Sequence, residues 1–86
     1  MEYEIVIDRS AAKYLGTQDE TTRKRILQAM EGLRRDPPEG DIKKMQGTIG
    51  LYRLRVGTYR VLFSIDKNER VVYVDLIGPR GNIYKK

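Results

Sequence analysis

The chain has 86 residues and a net charge of +5 at pH 7, and it contains neither cysteine nor histidine. This length predicts one domain over residues 1–86. The composition excludes disulfides, thiolate and imidazole metal sites and a histidine general base, so we expect no cofactor and no metal. No apolar signal segment opens the chain, and no apolar stretch approaches the roughly 20 residues that span a bilayer. We therefore expect a cytoplasmic protein with no membrane partner.

Positive charge is concentrated in the C-terminal half. Residues 1–42 carry 7 Lys/Arg and 9 Asp/Glu, a net charge of −2, whereas residues 43–86 carry 10 and 3, a net charge of +7. A basic half favours a nucleic acid or an acidic protein as the partner. A merely solubilising surface is the alternative, and the placement of the arginines argues against it.

The N-terminal half predicts a short strand and two helices. Residues 2–8 alternate weakly between apolar and polar, as a strand does. Ser10 is predicted to cap a short helix that runs to about Leu15. Thr17 has the spacing of a capping box and predicts the start of a longer helix that runs to about Arg35. The predicted apolar stripe of this second helix consists of Ile26, Leu27, Met30 and Leu33.

The C-terminal half predicts a meander of three strands over residues 52–56, 59–65 and 70–77. The dipeptide Gly57-Thr58 between the first two is typical of a two-residue type II′ hairpin turn. The predicted fold is therefore α+β, with two N-terminal helices packed on one face of a small, about four-stranded, mainly antiparallel sheet.

A two-residue turn fixes the register of this hairpin and places two arginines face to face. It pairs Val56 with Tyr59, so Arg55 lies opposite Arg60, with Arg53 one step along the same face. Like charges in that position destabilise a sheet. A bound polyanion is a natural reason to tolerate them.

The last predicted strand extends the basic face toward the C-terminus. Pairing Phe63 with Val74 matches the apolar patterns best and places Arg60 beside Ile77, three residues before Arg80. The predicted core face of this strand carries Val72, Val74 and Leu76. Asp75, on the opposite face, is expected to form a salt bridge with an arginine.

Clustered guanidinium groups suit a phosphodiester, because each planar fork donates two parallel hydrogen bonds. Arginine cannot be the general base, and Tyr84 is the titratable group nearest to Arg80 in sequence. Tyr84 could take a proton from a ribose 2′-hydroxyl, stack on a base, or pack the tail onto the sheet. The lysine pairs Lys43-Lys44 and Lys85-Lys86 are candidate RNA backbone contacts, with a solvated surface as the alternative for Lys43-Lys44.

Two segments, residues 51–62 (LYRLRVGTYRVL) and 77–85 (IGPRGNIYK), resemble the RelE/ParE superfamily of toxins from toxin–antitoxin systems. The resemblance covers nearly the whole chain. The chain is similar above all to the RelE branch of the superfamily. It implies a ribosome-dependent endoribonuclease (an mRNA interferase) that cleaves mRNA in the A site. The 2′-hydroxyl would attack the adjacent phosphate, leave a 2′,3′-cyclic phosphate and so stop translation.

The resemblance also implies roles for individual residues. Arg53 and Arg55 match two basic strand residues, Arg60 matches the hairpin arginine, and Arg80 and Tyr84 match the C-terminal pair. Arg60 and Arg80 would stabilise the phosphate, and Tyr84 would orient or deprotonate the nucleophile. RelE-type enzymes often carry lysine where this chain has Arg53 and Arg55, which puts the acid–base assignment in question but not the phosphate clamp.

The resemblance leaves other functions open and implies partners. A ParE-like toxin would inhibit DNA gyrase by protein binding without catalysis. An inactive relative or a plain RNA-binding module is a third possibility. For the nuclease, the implied partners are the ribosome, mRNA and a cognate acidic, RelB-like antitoxin. A toxin–antitoxin heterotetramer is one assembly that such a pair could form.

Overall fold

The structure, a computed structural model, describes residues 2–45, 47 and 50–79. Within these residues the chain forms two α-helices, a short 3-10 turn and five strands, and this confirms the predicted α+β class. In chain order the elements are β1 (Glu4–Ile7), α1 (Arg9–Gly16), α2 (Glu20–Glu31), the 3-10 turn (Gly32–Arg34), β2 (Ile42–Lys44), β3 (Leu51–Val56), β4 (Tyr59–Asp66) and β5 (Val71–Pro79).

The strands form one sheet in the order β1-β5-β4-β3-β2. Neighbouring strands are antiparallel except β1 and β5, which run parallel. The predicted count of about four strands is one short, because β2 was missed. This strand has three residues, Ile42, Lys43 and Lys44, and is too short to show the alternation that predicts a strand. Its pairing with β3 defines it.

Both helices begin at an aspartate rather than at the predicted hydroxyl residue. The carboxylate of Asp8 accepts hydrogen bonds from the backbone N–H and the hydroxyl of Ser10, which lower the pKa of Asp8. Asp19 caps α2 by accepting from the N–H of Thr22. Thr17 instead ends α1, where its hydroxyl donates to the carbonyl of Tyr14. A carboxylate satisfies the exposed N–H groups and also favours the positive end of the helix dipole.

The core lies between the helices and one face of the sheet, here called the inner face. Three of the four residues predicted for the stripe of the second helix are buried, namely Ile26, Met30 and Leu33, whereas Leu27 is 39% exposed. Leu27 follows Ile26 by one position, about 100° around the helix, and so turns away from the sheet. None of the helices in the described part of the chain is long and apolar enough to cross a membrane.

The β3–β4 hairpin has the predicted register. Gly57 has a φ of 60°, the left-handed value that the first central position of a type II′ turn needs. Val56 pairs with Tyr59, and Arg55 with Arg60. Because the pairing continues without a shift, alternate residues of both strands remain on the same face along the whole hairpin.

A β-bulge in β5 changes the predicted register of the last strand. Phe63 pairs with Val74 as predicted, but Leu62 pairs with Leu76, so Asp75 is an extra residue between the two pairs. The insertion moves every later residue of β5 by one position. Arg60 therefore lies opposite Gly78 and not beside Ile77.

The bulge also exchanges the faces of the residues that follow it. Leu76, which was predicted for the core, is 41% exposed. Ile77 takes the core position instead and is only 4% exposed. A strictly alternating strand would have put Leu76 inside, and the extra residue reverses that assignment.

Candidate functional site

The face of the sheet that the helices leave uncovered, here called the outer face, carries two adjacent rows of paired residues. One row runs from Arg55 on β3 to Arg60 on β4 and Gly78 on β5. The next row consists of Lys43, Arg53, Leu62 and Leu76. The predicted convergence of Arg53, Arg55 and Arg60 is therefore what the register produces.

Among the described residues, Arg60 is the one charged residue that is buried, and its exposed fraction is 7%. Its Nε and Nη1 atoms are shielded from solvent. The neighbouring Gly78 is also buried and presents no side chain next to the guanidinium. Burying a guanidinium requires compensation elsewhere, and the surroundings restrict its orientation. Arg60 is thus a cation of fixed position at the centre of the basic row.

Arg55, across the ladder from Arg60, is exposed and bound to an acidic residue. Its Nε donates to Oδ2 of Asp41 at 2.7 Å, and its backbone N–H donates to the carbonyl of Asp41 at 2.9 Å. No pattern in the sequence pointed to Asp41. The missed strand β2 begins with the following residue, and that strand is what brings Asp41 to Arg55.

The predicted lysine contacts separate in the structure. Lys43 pairs with Arg53 and belongs to the outer face, whereas Lys44 pairs with Tyr52. The ring of Tyr52 stacks on that of Phe63 on the inner face, with 5.6 Å between the ring centroids. The side chain of Lys44 therefore leaves the strand on the side opposite to the arginines. Both lysines are exposed, and their role as RNA contacts stays a prediction.

The C-terminal part of the predicted site lies outside the described residues. It comprises Arg80, Tyr84, Lys85 and Lys86. The described chain ends at Pro79, which pairs with Tyr59 directly after the hairpin turn. The contribution of the four C-terminal residues to the site stays a prediction.

Asp75 does not form the predicted salt bridge with any arginine of the described chain. It occupies the bulge, where partial burial and, to a lesser extent, the carboxylate of Asp8 raise its pKa. The described residues also contain no group of three acidic side chains that could hold a metal ion. The cations of the outer face are therefore not balanced by Asp75.

Exposed apolar residues lie beside the arginines on the outer face. Val6 pairs with Tyr73 across β1 and β5, and Leu76 pairs with Leu62. Val6, Tyr73 and Leu76 are the outer apolar patch, and each is at least 40% exposed. Several exposed apolar residues on one sheet face are typical of a contact surface.

A sheet with helices on one face and cations beside exposed apolar residues on the other is an arrangement that favours a polyanion or an acidic protein as the ligand. The chain belongs to the family of ParE toxins of type II toxin–antitoxin systems, whose sequence model matches residues 5–84. A relative named RelE1, from Methanocaldococcus jannaschii, is 26% identical over 88 residues, which cover 99% of this chain and 98% of the relative.

Solved structures confirm the RelE-like fold. A chain of the archaeal RelE–RelB complex from Pyrococcus horikoshii has a TM-score of 0.79 at 30% identity, covering 95% of this chain and 99% of that one. A chain of the RelB–RelE complex from Methanococcus jannaschii has a TM-score of 0.74 at 26% identity, covering 92% of this chain and 94% of that one. A chain of the RelBE2 complex from Mycobacterium tuberculosis has a TM-score of 0.78 at 22% identity, covering 93% of this chain and 100% of that one. At this identity the match shows the fold alone. These matches confirm the predicted RelE/ParE superfamily and make the chain a RelE-like toxin.

Proposed function

We propose that this toxin is a ribosome-dependent endoribonuclease that cleaves mRNA in the ribosomal A site. The observation that carries the proposal is the facing pair of Arg55 and Arg60 on the outer face of the sheet, where Arg55 is exposed and Arg60 is buried. Two cations at directly opposite positions of a ladder repel each other. A bound phosphodiester would attract both guanidinium groups and so offset that repulsion. The RelE names of the relatives support the same activity.

In the proposed reaction the ribose 2′-oxygen attacks the adjacent phosphorus. The bond from phosphorus to the 5′-oxygen of the next nucleotide breaks, a 2′,3′-cyclic phosphate remains, and the departing oxygen takes up a proton. Arg60, together with Arg80, would stabilise the charge that develops on the phosphate, Arg55 would bind the same phosphate, and Arg53 would bind the RNA backbone beside it. A guanidinium that is fixed beforehand needs no reorganisation during the reaction, which is the main source of electrostatic catalysis.

Tyr84 is the proposed group that orients or deprotonates the 2′-hydroxyl. Positive charge nearby would favour its phenolate form. If Tyr84 instead stacks on a base or packs against the sheet, its hydroxyl is dispensable. We therefore expect Tyr84→Phe to abolish cleavage while ribosome binding persists, and undiminished cleavage by this variant would refute the assignment.

The proposed protein partner is a cognate RelB-like antitoxin with an acidic segment. The outer face offers such a segment cations from Arg53, Arg55 and Arg60 beside the outer apolar patch. Structures of relatives are complexes of RelE with RelB, and a heterotetramer of two toxins and two antitoxins is one assembly that we propose. Affinity for the antitoxin should fall as salt rises, because opposite charges attract less when screened.

The alternative function is inhibition of DNA gyrase by protein binding, without catalysis. The match to a family named for ParE favours it specifically. The basic hairpin would then lie in a protein interface, and RNA would remain intact.

Primer extension on mRNA programmed into ribosomes tests the two functions against each other. Each reaction is run with and without the toxin, beside a tube that contains the RNA but no ribosomes. Cuts at A-site codons only in the presence of ribosomes would support the nuclease and a cytoplasmic site of action. No cuts in any tube, with loss of gyrase supercoiling in a parallel assay, would support the alternative. Neither effect would indicate an inactive relative or a plain RNA-binding protein.

A further inference from the structure

The ion pair between Arg55 and Asp41 differs from the others among the described residues. At 2.7 Å it is the shortest, and it joins residues that are 14 positions apart. The other ion pairs of the described chain join residues three or four positions apart. A second hydrogen bond, from the N–H of Arg55 to the carbonyl of Asp41, fixes the backbone as well. Asp41 thus connects the segment before β2 to the strand that carries the arginines.

The backbone leading into β2 is built to bring Asp41 to this place. Gly40 has a φ of 138°, and a Cβ there would lie 2.8 Å from Cδ1 of Leu54. Only glycine lets the chain pass Leu54 this closely in that conformation. The pairing of Ile42 with Leu54 then sets the preceding residue beside Arg55.

The row across the outer face therefore reads Asp41, Arg55, Arg60, with a carboxylate and a guanidinium on opposite sides of Arg55. The carboxylate offsets the repulsion that Arg55 experiences from Arg60. Because Asp41 accepts from Nε, the end of the guanidinium that carries Nη1 and Nη2 remains for a ligand. That end donates two parallel hydrogen bonds, which match two oxygens of a phosphate.

We propose that Asp41 is a positioning residue that holds Arg55 so that its Nη1 and Nη2 bind the scissile phosphate. This inference rests on the proposed nuclease activity. Asp41 itself touches no RNA in this arrangement; it acts through Arg55.

The test compares Asp41→Asn with Glu39→Gln in steady-state cleavage of ribosome-bound mRNA. Both variants remove one negative charge, but Glu39 pairs with Arg35 at 3.7 Å and not with Arg55. We expect kcat of D41N to fall roughly 10-fold with KM within about twofold, because the reacting geometry is lost and the RNA surface is kept. E39Q should behave as wild type. Equal rates for D41N and a cleaving wild type would overturn this inference alone, whereas a wild type that cuts no RNA would overturn the nuclease itself.

Further variants separate positioning from a general effect on folding. In an Arg55→Gln background, D41N should cause no additional loss, and a full second loss would overturn the proposal. Asp41→Glu keeps the carboxylate and should retain most of the rate. A faster D41N would show that Asp41 competes with RNA, which also overturns the proposal. The Nε–Hε resonance of Arg55 in nitrogen-15 spectra should shift in D41N without any ribosome present, and an unchanged resonance would count against the contact.

Discussion

The inner and outer faces of the β3–β4 hairpin are made by alternate residues of the same two strands, yet their contacts have opposite energetics. On the inner face Phe63 is fully buried and stacks on Tyr52, so each neighbour stabilises the other. On the outer face the cross-strand partners Arg55 and Arg60 carry like charges, and the carboxylate of Asp41 offsets part of their repulsion. The comparison teaches that packing stabilises the inner face, whereas the outer face keeps a like-charged pair that the proposed ligand would bind. Four substitutions test this contrast.

The largest effect should follow from Phe63→Ala on the inner face. Removing a fully buried aromatic ring leaves a cavity and costs about 3–5 kcal/mol of unfolding free energy. That is a large share of the total for a small domain. Denaturant unfolding followed by circular dichroism measures the loss. Tyr73→Ala, an exposed aromatic residue of the outer face, is the matched control and should cost far less.

Arg60→Met on the outer face should separate function from stability. Cleavage should fall about 100- to 1000-fold, as when one donor to a developing charge is removed. The unfolding free energy should change far less than in Phe63→Ala, because a side chain of similar length keeps the packing of the buried stem of Arg60. Primer extension and denaturant unfolding of the same preparation measure the two quantities. A variant that is as active as wild type would remove Arg60 from the proposed site.

Gly57→Ala, in the turn that joins β3 to β4, should lower the unfolding free energy by about 1 kcal/mol. Its φ of 60° disfavours a side chain, and an added Cβ would lie 2.9 Å from Nη2 of Arg25. Gly50→Ala is the control, because Gly50 has a φ of 77° with no atom within 4 Å of the added Cβ. Thermal unfolding should place G57A below G50A. Equal melting temperatures would mean that Arg25 moves aside at no cost.

The smallest effect concerns Asp75 in the bulge. Partial burial raises its pKa, so the folded state favours the protonated form and loses stability as the pH rises through the folded pKa. Asp75→Asn should therefore stabilise the protein at neutral pH by well under about 1 kcal/mol, since solvent screens the group. The gain should vanish below the ordinary aspartate pKa of 3.8. Unfolding curves at several pH values check the sign, and a gain that grows toward acid pH would contradict it.

Local patterns predicted those parts of the structure that one short-range rule determines. The Gly57-Thr58 turn leaves a single register for its hairpin, so the pairing of Arg55 with Arg60 could be obtained from sequence. The family resemblance rested on the same segment, and the family match confirms it.

Longer-range features could not be predicted in this way. The bulge at Asp75 arises from how β5 fits between two neighbours, and alternation alone cannot show an extra residue. β2 forms because its three residues can pair with β3, which no local pattern shows. Without β2, the contact of Asp41 with Arg55 could not be predicted either. In the caps, Asp8 and Asp19 compete with nearby hydroxyl residues that suit the same role.

The parallel pairing of β1 with β5 affects when the toxin can become complete. β1 is an edge strand that is synthesised first, and its neighbour in the sheet is the last strand described. Bringing them together closes a loop that contains both helices and the other three strands, which is slow and must wait until β5 has been made. A nascent chain that still lacks β5 therefore cannot assemble the finished outer face. The order of synthesis thus delays completion of the sheet until after β5.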